Sequence, residues 1–174
     1  SQAYPVRVEV RGRDLTGELM GRLTFTEYFH LLLTGEEPTE DQRVFLDLLL
    51  VSIAEHGMMP TNVAARMTLA AAPESLQGAV AAGILGAGPV VLGTAEECAR
   101  LLAEAETARR SAEEIAKEYR ERGRKVPGFG HPVHKLVDPR AERILELAHE
   151  HGVDGAHVAF ARSLRDEVKP LPMN

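Results

Sequence analysis

Residues that begin and end helices recur along this chain at short intervals, and they restrict its possible folds more than any other feature. The segment "TFTEYFHLLLTGEEP" has Thr24 or Thr26 as a helix N-cap, and Gly35 followed by Pro38 as its end. The next segment, "TEDQRVFLDLLLVSIAEHG", has the same order of signals, with a threonine at its start and Gly57 at its end. Continued along the chain, this pattern predicts an all-α fold of about eight helices.

Composition supports one helical domain. Hydrophobic residues make up 44% of the 174 positions, which is enough for a core, while aromatic residues are only 5% and tryptophan is absent. The segments "TNVAARMTLAAA" and "SLQGAVAAGILGAG" predict two helices whose small residues allow close packing. A longer charged segment predicts helix with a break between Thr107 and Ser111. We therefore predict a single domain over residues 1–174, in which residues 1–12 form an extended arm.

Charge and cysteine content exclude several classes of protein. The net charge of −6 and the pI near 5.7 argue against a nucleic-acid-binding protein. No apolar run approaches the ~20 residues of a membrane span, and no signal-peptide core is present, so we expect no membrane partner. The single cysteine, Cys98, lies in a helical segment and excludes an internal disulfide. These features predict a buried structural thiol and a cytoplasmic protein.

The segment "VPGFGHPVHKLVDPRAE", which starts at Val126, concentrates turn-forming and polar residues between two charged helices. Its prolines and glycines prevent helix and free backbone groups for other partners. Helix restarts at Asp138 and Pro139, which suit the N-cap and N1 positions, and a helix N-terminus favours an anion. His131 and Arg140 flank this point, and a planar guanidinium suits bidentate binding of a carboxylate. The segment therefore predicts a site for a carboxylate ligand.

Basic residues cluster around the same segment in an otherwise acidic chain. They are Arg120, Arg122, Arg124, Lys125, Lys135, Arg140 and Arg143. A local positive charge of this kind is what a polyanionic small molecule requires, although a solvated helix face equally explains Arg120 and Arg122. His131 and His134 have the spacing of a metal pair. Pro132 opposes helix between them, and no acidic or cysteine third ligand has suitable spacing, so we expect no metal.

The same segment resembles the glycine-rich, histidine-bearing loop of the citrate synthase superfamily, which is followed by Asp-Pro-Arg. "SIAEHGMMPTNVAARM", "SLQGAVAAGILGAGP" and "RGRDLTGELMGRLTFTEYFHLLLTGEEPTEDQ" resemble further segments of that family, so the resemblance covers nearly the whole chain. It implies a multi-helical all-α fold and a homodimer. It also implies an enzyme that makes or breaks a carbon–carbon bond between the acetyl group of a coenzyme A (CoA) thioester and an oxo-acid such as oxaloacetate.

The resemblance also implies roles for particular residues. His131 is similar to the histidine that hydrogen-bonds the oxo-acid carbonyl, Arg140 to the arginine that binds a carboxylate, and His56 to a further histidine of the oxo-acid site. His131 and His56 are therefore the predicted catalytic residues, and with Arg140 they bind the substrate. The predicted CoA-binding residues are Lys125, Val126, Pro127, Gly128, Phe129, Gly130 and Lys135. The loop is expected to meet the CoA adenine through its backbone, with the CoA thioester as substrate and no metal.

Two departures from the family pattern qualify the function. The synthases have a histidine that bonds the thioester oxygen, and here the aligned residue is Val91, which cannot donate a side-chain hydrogen bond. The citryl-CoA lyase branch also departs from that histidine, so we predict cleavage of citryl-CoA to acetyl-CoA and oxaloacetate. The alternatives are a citrate or methylcitrate synthase and a non-catalytic CoA-binding module.

The second departure concerns the catalytic base. The family's aspartate is expected just after a segment like "LPMN", with which this chain ends, and Asp166 and Glu167 lie too early to replace it. The resemblance therefore implies that the C-terminal part of the fold is missing from this chain.

Overall fold

The computed structural model describes residues 1–88 and 92–174 and confirms the all-α prediction, with a small sheet added at the N-terminus. The described parts contain these α-helices: α1 Phe25–Thr34, α2 Glu40–Ile53, α3 Pro60–Ala71, α4 Leu76–Leu85, α5 Thr94–Thr107, α6 Ala112–Glu121, α7 Pro139–Glu150 and α8 Ala156–Glu167. None of these helices is long and apolar enough to cross a membrane. The chain divides into two compact units, Ser1–Glu55 and His56–Asn174, and the single-domain prediction stays a prediction.

The predicted N-terminal arm is a three-stranded antiparallel sheet in the first unit. Its strands are β1 Gln2–Tyr4, β2 Arg7–Val10 and β3 Arg13–Asp14, in that order across the sheet. Arg11 and Gly12 both have positive φ, 52° and 77°, as a two-residue type I′ hairpin turn requires. Residues 1–12 are therefore not one extended arm, because the turn at Pro5 and Val6 folds β1 back onto β2.

Threonine caps begin both α-helices of the first unit, as the sequence predicts. Thr24 accepts from the backbone N–H of Glu27, whose carboxylate accepts from the backbone N–H of Thr24 in return, and Thr39 forms the same capping box at α2. Helix α2 ends at Ile53 rather than near Gly57, because the carbonyl of Gly57 accepts from the backbone of Met59 in the turn that leads into α3. The buried core of this unit is small and consists of Val10, Leu19 and Leu31.

The second unit contains the predicted close pair of small-residue helices, α3 and α4. A Cβ atom added at Gly83 would lie only 3.3 Å from the Cβ atom of Ala65, so the two helices approach closely at this glycine. Several apolar side chains of these two helices are largely exposed, among them Met67, Ile84 and Leu85.

The main core of the second unit lies among α5, α6 and α8. Ile115 and Leu164 are fully buried there, and Leu101 and Ala105 pack with them. Helix α5 ends at Thr107 and α6 begins after the Ser111 cap, so the predicted break is confirmed. The glycine-rich loop between α6 and α7 is anchored in this core by the side chains of Val126 and Phe129.

Candidate functional site

The histidine-bearing loop is anchored at its start by burial and by pairing with the end of the chain. The side chains of Val126 and Phe129 are 4% and 5% exposed and pack in the main core. The N–H of Gly130 donates to the carbonyl of Pro172 over 2.7 Å, and the N–H of Asn174 donates to the carbonyl of Gly128 over 3.0 Å. Contact between the loop and CoA stays a prediction. Because the side chains of Val126 and Phe129 are buried, these two residues would make such a contact through their backbone atoms.

Gly128 is the tightest point of the loop. Its φ is +82°, and a Cβ atom there would lie 2.7 Å from the Sγ atom of Cys98 on α5. Cys98 is partly buried, and this burial raises the pKa of its thiol, which therefore remains protonated and packs as an apolar group. A residue other than glycine at position 128 would therefore require the Cys98 side chain, α5 or the loop to shift.

We expect Gly128→Ala to lower the free energy of unfolding by about 2–4 kcal/mol, from left-handed strain and from overlap with sulfur. The matched control is Gly21→Ala, since Gly21 has φ +80° but nothing within 4 Å of the added Cβ atom. Chemical denaturation should show a clearly smaller loss for the control. Adding Cys98→Ala to Gly128→Ala should restore the part of the loss that is due to overlap. Equal losses for the two glycine variants would contradict the packing explanation.

Helix α7 begins at the other end of the loop, where Asp138 is the N-cap and Pro139 the first helical residue. The Asp138 side chain is only 1% exposed, and both of its carboxylate oxygens accept from Arg140. The donors are the backbone N at 3.0 Å, Nε at 3.1 Å and Nη2 at 2.7 Å. The Arg140 hydrogen bond is the main cause that lowers the pKa of Asp138 to about 2. The carboxylate is therefore ionised at neutral pH and raises the pKa of Arg140 in turn.

The structure brings the three residues predicted for the oxo-acid site together. Nη2 of Arg140 lies 3.4 Å from Nε2 of His131, and Nη1 lies 3.4 Å from Nδ1 of His56. The two imidazole rings are 6.4 Å apart and nearly perpendicular. His56 is 84 positions from Arg140 in sequence, so the fold rather than local structure creates this cluster. Their catalytic and binding roles remain predictions.

Backbone hydrogen bonds fix the protonation of the His131 ring. Its Nδ1 atom accepts from the backbone N–H groups of Val133 at 3.1 Å and His134 at 3.0 Å. A nitrogen that accepts two such bonds carries no proton, so the neutral ring is protonated on Nε2. Desolvation, followed by the nearby charge of His134, lowers the pKa of His131. The ring is therefore neutral at pH 7 and presents an Nε2–H donor beside the guanidinium of Arg140.

Two facing donors require a shared acceptor. Nε2 of His131 and Nη2 of Arg140 both carry protons, so neither can accept a hydrogen bond from the other across their 3.4 Å separation. An oxygen atom placed between them would accept from both. The cluster is thus suited to a ligand that carries a carbonyl or alkoxide oxygen next to a carboxylate.

The loop also contains a group of possible metal ligands. One atom each of His131, His134 and Asp138 lie within 4.8 Å of one another. The sequence argument found no acidic third ligand with suitable spacing, and on that point it was wrong, because Asp138 lies beside the two histidines. Both carboxylate oxygens of Asp138 are already bound by Arg140, and a cation would compete with that guanidinium. The expectation of no metal stays a prediction.

Some basic residues around the loop form ion pairs with acidic side chains, and others do not. Arg122 pairs with Glu118, Arg143 with Glu146 and Glu150, and Arg140 with Asp138. Lys125 and Lys135 are exposed at the two sides of the loop, and neither has an acidic partner within the described residues. Lys135 donates to the carbonyl of His131 at 3.3 Å, and the end of Lys125 lies about 4 Å from the Cβ position of Gly130. These two lysines are therefore available to an anion that binds along the loop.

Sequence reasoning gave Asp138 only the role of a helix cap and missed its contacts with Arg140. The signal was present in the two-residue spacing of "DPR", which lets one carboxylate cap the helix and reach the guanidinium. Val91, on which the preference for a lyase depends, lies outside the described residues.

The comparisons with known proteins identify the family and the fold. The family model for the citrate synthase C-terminal domain matches residues 3–171. A citryl-CoA lyase from Hydrogenobacter thermophilus is 35% identical, with a TM-score of 0.90 over 99% of this chain and 69% of that one. An ATP citrate lyase from Methanothrix soehngenii, solved with citrate and coenzyme A, has a TM-score of 0.80 over 89% of this chain and 26% of that one. At 22% identity this second likeness shows the fold alone.

Curated relatives are longer than this chain. A citrate synthase from Deinococcus radiodurans is 34% identical over 131 residues, which are 74% of this chain and 34% of that protein. The chain spans about a third of the length of the curated relatives that it matches. The family match over nearly the whole chain nevertheless confirms the predicted resemblance, and the chain belongs to the citrate synthase family.

Proposed function

We propose that this protein is a citryl-CoA lyase, which cleaves citryl-CoA to acetyl-CoA and oxaloacetate, and that the His131 loop holds the oxo-acid part of the substrate. The observation that carries this proposal is the Arg140 guanidinium, tied to Asp138 and set between His131 and His56. Such a cluster offers donors for a carboxylate and for the neighbouring oxygen at the reacting carbon.

The chemistry explains why these donors are useful. Loss of the hydroxyl proton of the citryl group gives an alkoxide, and its collapse to a ketone breaks the carbon–carbon bond. The departing carbon leaves as the enolate of acetyl-CoA and is then protonated. Nε2–H of His131 and Nη2 of Arg140 would stabilise the negative charge on the oxygen, and Arg140 would hold the adjacent carboxylate. His56 would add a third contact to the same part of the substrate.

Two lines of support favour cleavage over condensation. The solved citryl-CoA lyase covers 99% of this chain at 35% identity. Val91 stands where the synthases have a donor to the thioester oxygen. The second candidate is a citrate or methylcitrate synthase, supported by the curated relatives named citrate synthase. A CoA-binding module without turnover is the third, and it too would explain Val91.

The deciding experiment incubates the purified full-length protein with citryl-CoA and follows acetyl-CoA by chromatography and oxaloacetate by a coupled NADH assay. The lyase proposal predicts both products in equal amounts. A parallel assay with acetyl-CoA and oxaloacetate measures release of the CoA thiol, and faster turnover there would select the synthase. Tight CoA binding in calorimetry with no turnover in either direction would select the binding module.

The pH dependence of the reaction tests the neutral state of His131. Because its pKa is lowered, we expect kcat/KM to stay level from pH 8 to about pH 6.5 and to fall at lower pH. The loss has this sign because protonation places a hydrogen on Nδ1, which then faces two backbone N–H donors. A rise in kcat/KM between pH 7.5 and pH 6 would contradict a neutral donor. His149→Gln, a change at an exposed histidine far along α7, should leave the profile unchanged.

The partners follow from the same proposal. The substrate would be the CoA thioester of an oxo-dicarboxylic acid adduct, with Lys125 and Lys135 beside the CoA-binding loop. We also propose a homodimer in the cytoplasm. The exposed apolar residues of α3 and α4, such as Met67 and Leu85, are a surface that a second copy would cover. Sedimentation of the full-length protein at twice its monomer mass would support the dimer, and a monomer at micromolar concentration would contradict it.

A further inference from the structure

The carboxylate of Asp138 is bound more completely than a helix cap requires. One oxygen, Oδ1, accepts from the backbone N of Arg140 at 3.0 Å, which is the capping bond, and from Nε at 3.1 Å. The other oxygen, Oδ2, accepts from Nη2 at 2.7 Å. A neutral cap such as serine satisfies the backbone equally well, so the second oxygen and the charge are available for another task.

Without its bonds to Asp138, the Arg140 side chain would be free to move. Its side chain is 35% exposed, whereas the Asp138 side chain is 1% exposed and fixed at the start of α7. Arginine loses much rotamer freedom when it is fixed, so an exposed guanidinium needs a rigid partner to keep one direction. With Nε and one N–H of Nη2 bound to Asp138, the remaining N–H groups lie on the side of His131 and His56.

We propose that Asp138 is a positioning residue for substrate binding, which touches no ligand itself and aims the free N–H groups of Arg140 at a carboxylate of the oxo-acid. This inference rests on the proposed function, because it names the element that orients the anion-binding arginine of that site. It assigns to Asp138 a second role besides capping α7.

Removing the negative charge of Asp138 has two opposite effects on an anionic ligand. The guanidinium loses its fixed direction, which weakens binding of the ligand. It also loses a neutralising partner, which strengthens its electrostatic attraction for the anion. At physiological salt the long-range attraction is screened, while the loss of direction is not. The positioning role therefore predicts a net loss of affinity.

The test replaces Asp138 by serine or asparagine, both of which cap helices about as well as aspartate. We expect Asp138→Ser and Asp138→Asn to fold with α7 intact and to bind citrate about 10-fold or more weakly in calorimetry at 0.15 M salt. Affinity for CoA, measured in the same way, should not change. KM for citryl-CoA should rise by more than kcat falls. Citrate binding that is unchanged or tighter in both variants would overturn the proposal.

A double-mutant cycle shows whether Asp138 acts through Arg140. In an Arg140→Ala background, Asp138→Ser should change citrate affinity by less than about 2-fold, because no guanidinium is left to position. An equal effect of Asp138→Ser with and without Arg140 would overturn the proposed route.

A ligand-free measurement separates this inference from the proposed function. The ¹⁵Nε–H signal of Arg140 should exchange slowly with water in the wild-type protein and quickly in Asp138→Ser. Slow exchange in the wild-type protein, together with no binding of citrate, oxaloacetate or citryl-CoA, would contradict the proposed function. The conclusion that Asp138 fixes the Arg140 side chain would then still be supported. A signal that exchanges equally fast in both proteins would overturn the inference, whatever the activity.

Discussion

Replacing His131 by alanine is expected to lower kcat for citryl-CoA cleavage by at least about 100-fold, because the variant lacks the Nε2–H donor at the oxygen that carries charge. The loop itself should survive this change. Val126 and Phe129 remain in the main core, and Gly130 remains paired with Pro172. Steady-state kinetics of the full-length protein, combined with thermal melts, would separate lost chemistry from lost folding.

Two companion variants make the His131 result specific. His131→Gln retains a side-chain N–H donor and should recover part of the lost rate. His157→Ala is the control, since His157 pairs with Glu106 at the surface over 2.9 Å and is more than half exposed. It should keep activity within about 2-fold and stability within about 1 kcal/mol. A His131→Ala enzyme that retains more than a tenth of the wild-type kcat would exclude His131 as the oxygen donor.

Replacing Arg140 by alanine is expected to reduce both ligand binding and stability. Citrate affinity should fall by about 100-fold, because two charge-assisted hydrogen bonds to a carboxylate are lost. The free energy of unfolding should fall by about 2–3 kcal/mol at pH 7, because Asp138 keeps a buried charge without its two guanidinium donors. Calorimetry with citrate and chemical denaturation measure the two effects separately.

Acid removes the stability difference between the wild type and Arg140→Ala. The folded pKa of Asp138 is about 2 and its unperturbed value 3.8, so the stabilisation from this pair is complete above about pH 4. It is lost as pH falls toward 2, where the carboxyl group becomes protonated in both proteins. Melts at pH 7 and pH 3 should therefore show the difference shrinking. A constant difference over this range would show that Asp138 is not its source.

A neighbouring arginine supplies the control for both measurements. Arg143→Ala removes a guanidinium one turn farther along α7, where it is 55% exposed and pairs with Glu146 and Glu150. We expect no change in citrate affinity and a stability change below about 1 kcal/mol. Arg140→Lys should keep a positive charge but not the two-nitrogen contact with Asp138, and its affinity should lie between those of the wild type and alanine.

Local signals predicted most of the helices in this fold. Thr24, Thr39, Ser111 and Asp138 lie at helix starts because their side-chain oxygens accept from backbone N–H groups that have no other partner. The pairing of β1 with β2 was missed because the alternating segment was taken as one continuous stretch, although Pro5 and Val6 form a turn between the two strands. The end of α2 was placed too late because Gly57 belongs to the following turn.

The candidate site was predicted only in part, for a similar reason. His131 and Arg140 lie in one short segment, so their proximity follows from sequence. The approach of His56 to Arg140, and the pairing of Gly130 with Pro172, join positions that are far apart in the chain. Only tertiary packing decides such contacts. The resemblance to a known family supplied His56, which the spacing of residues alone would not have identified.

The two bonds that Nδ1 of His131 receives come from the main chain, and this has a consequence for variation at the loop. Exchanging the side chains of Val133 or His134 leaves both N–H groups in place, so the proton of the ring stays on Nε2 whatever residue occurs there. Proline is the one residue that removes such a group. Natural diversity at these two positions can therefore alter the surroundings of the site without changing which ring nitrogen faces the ligand.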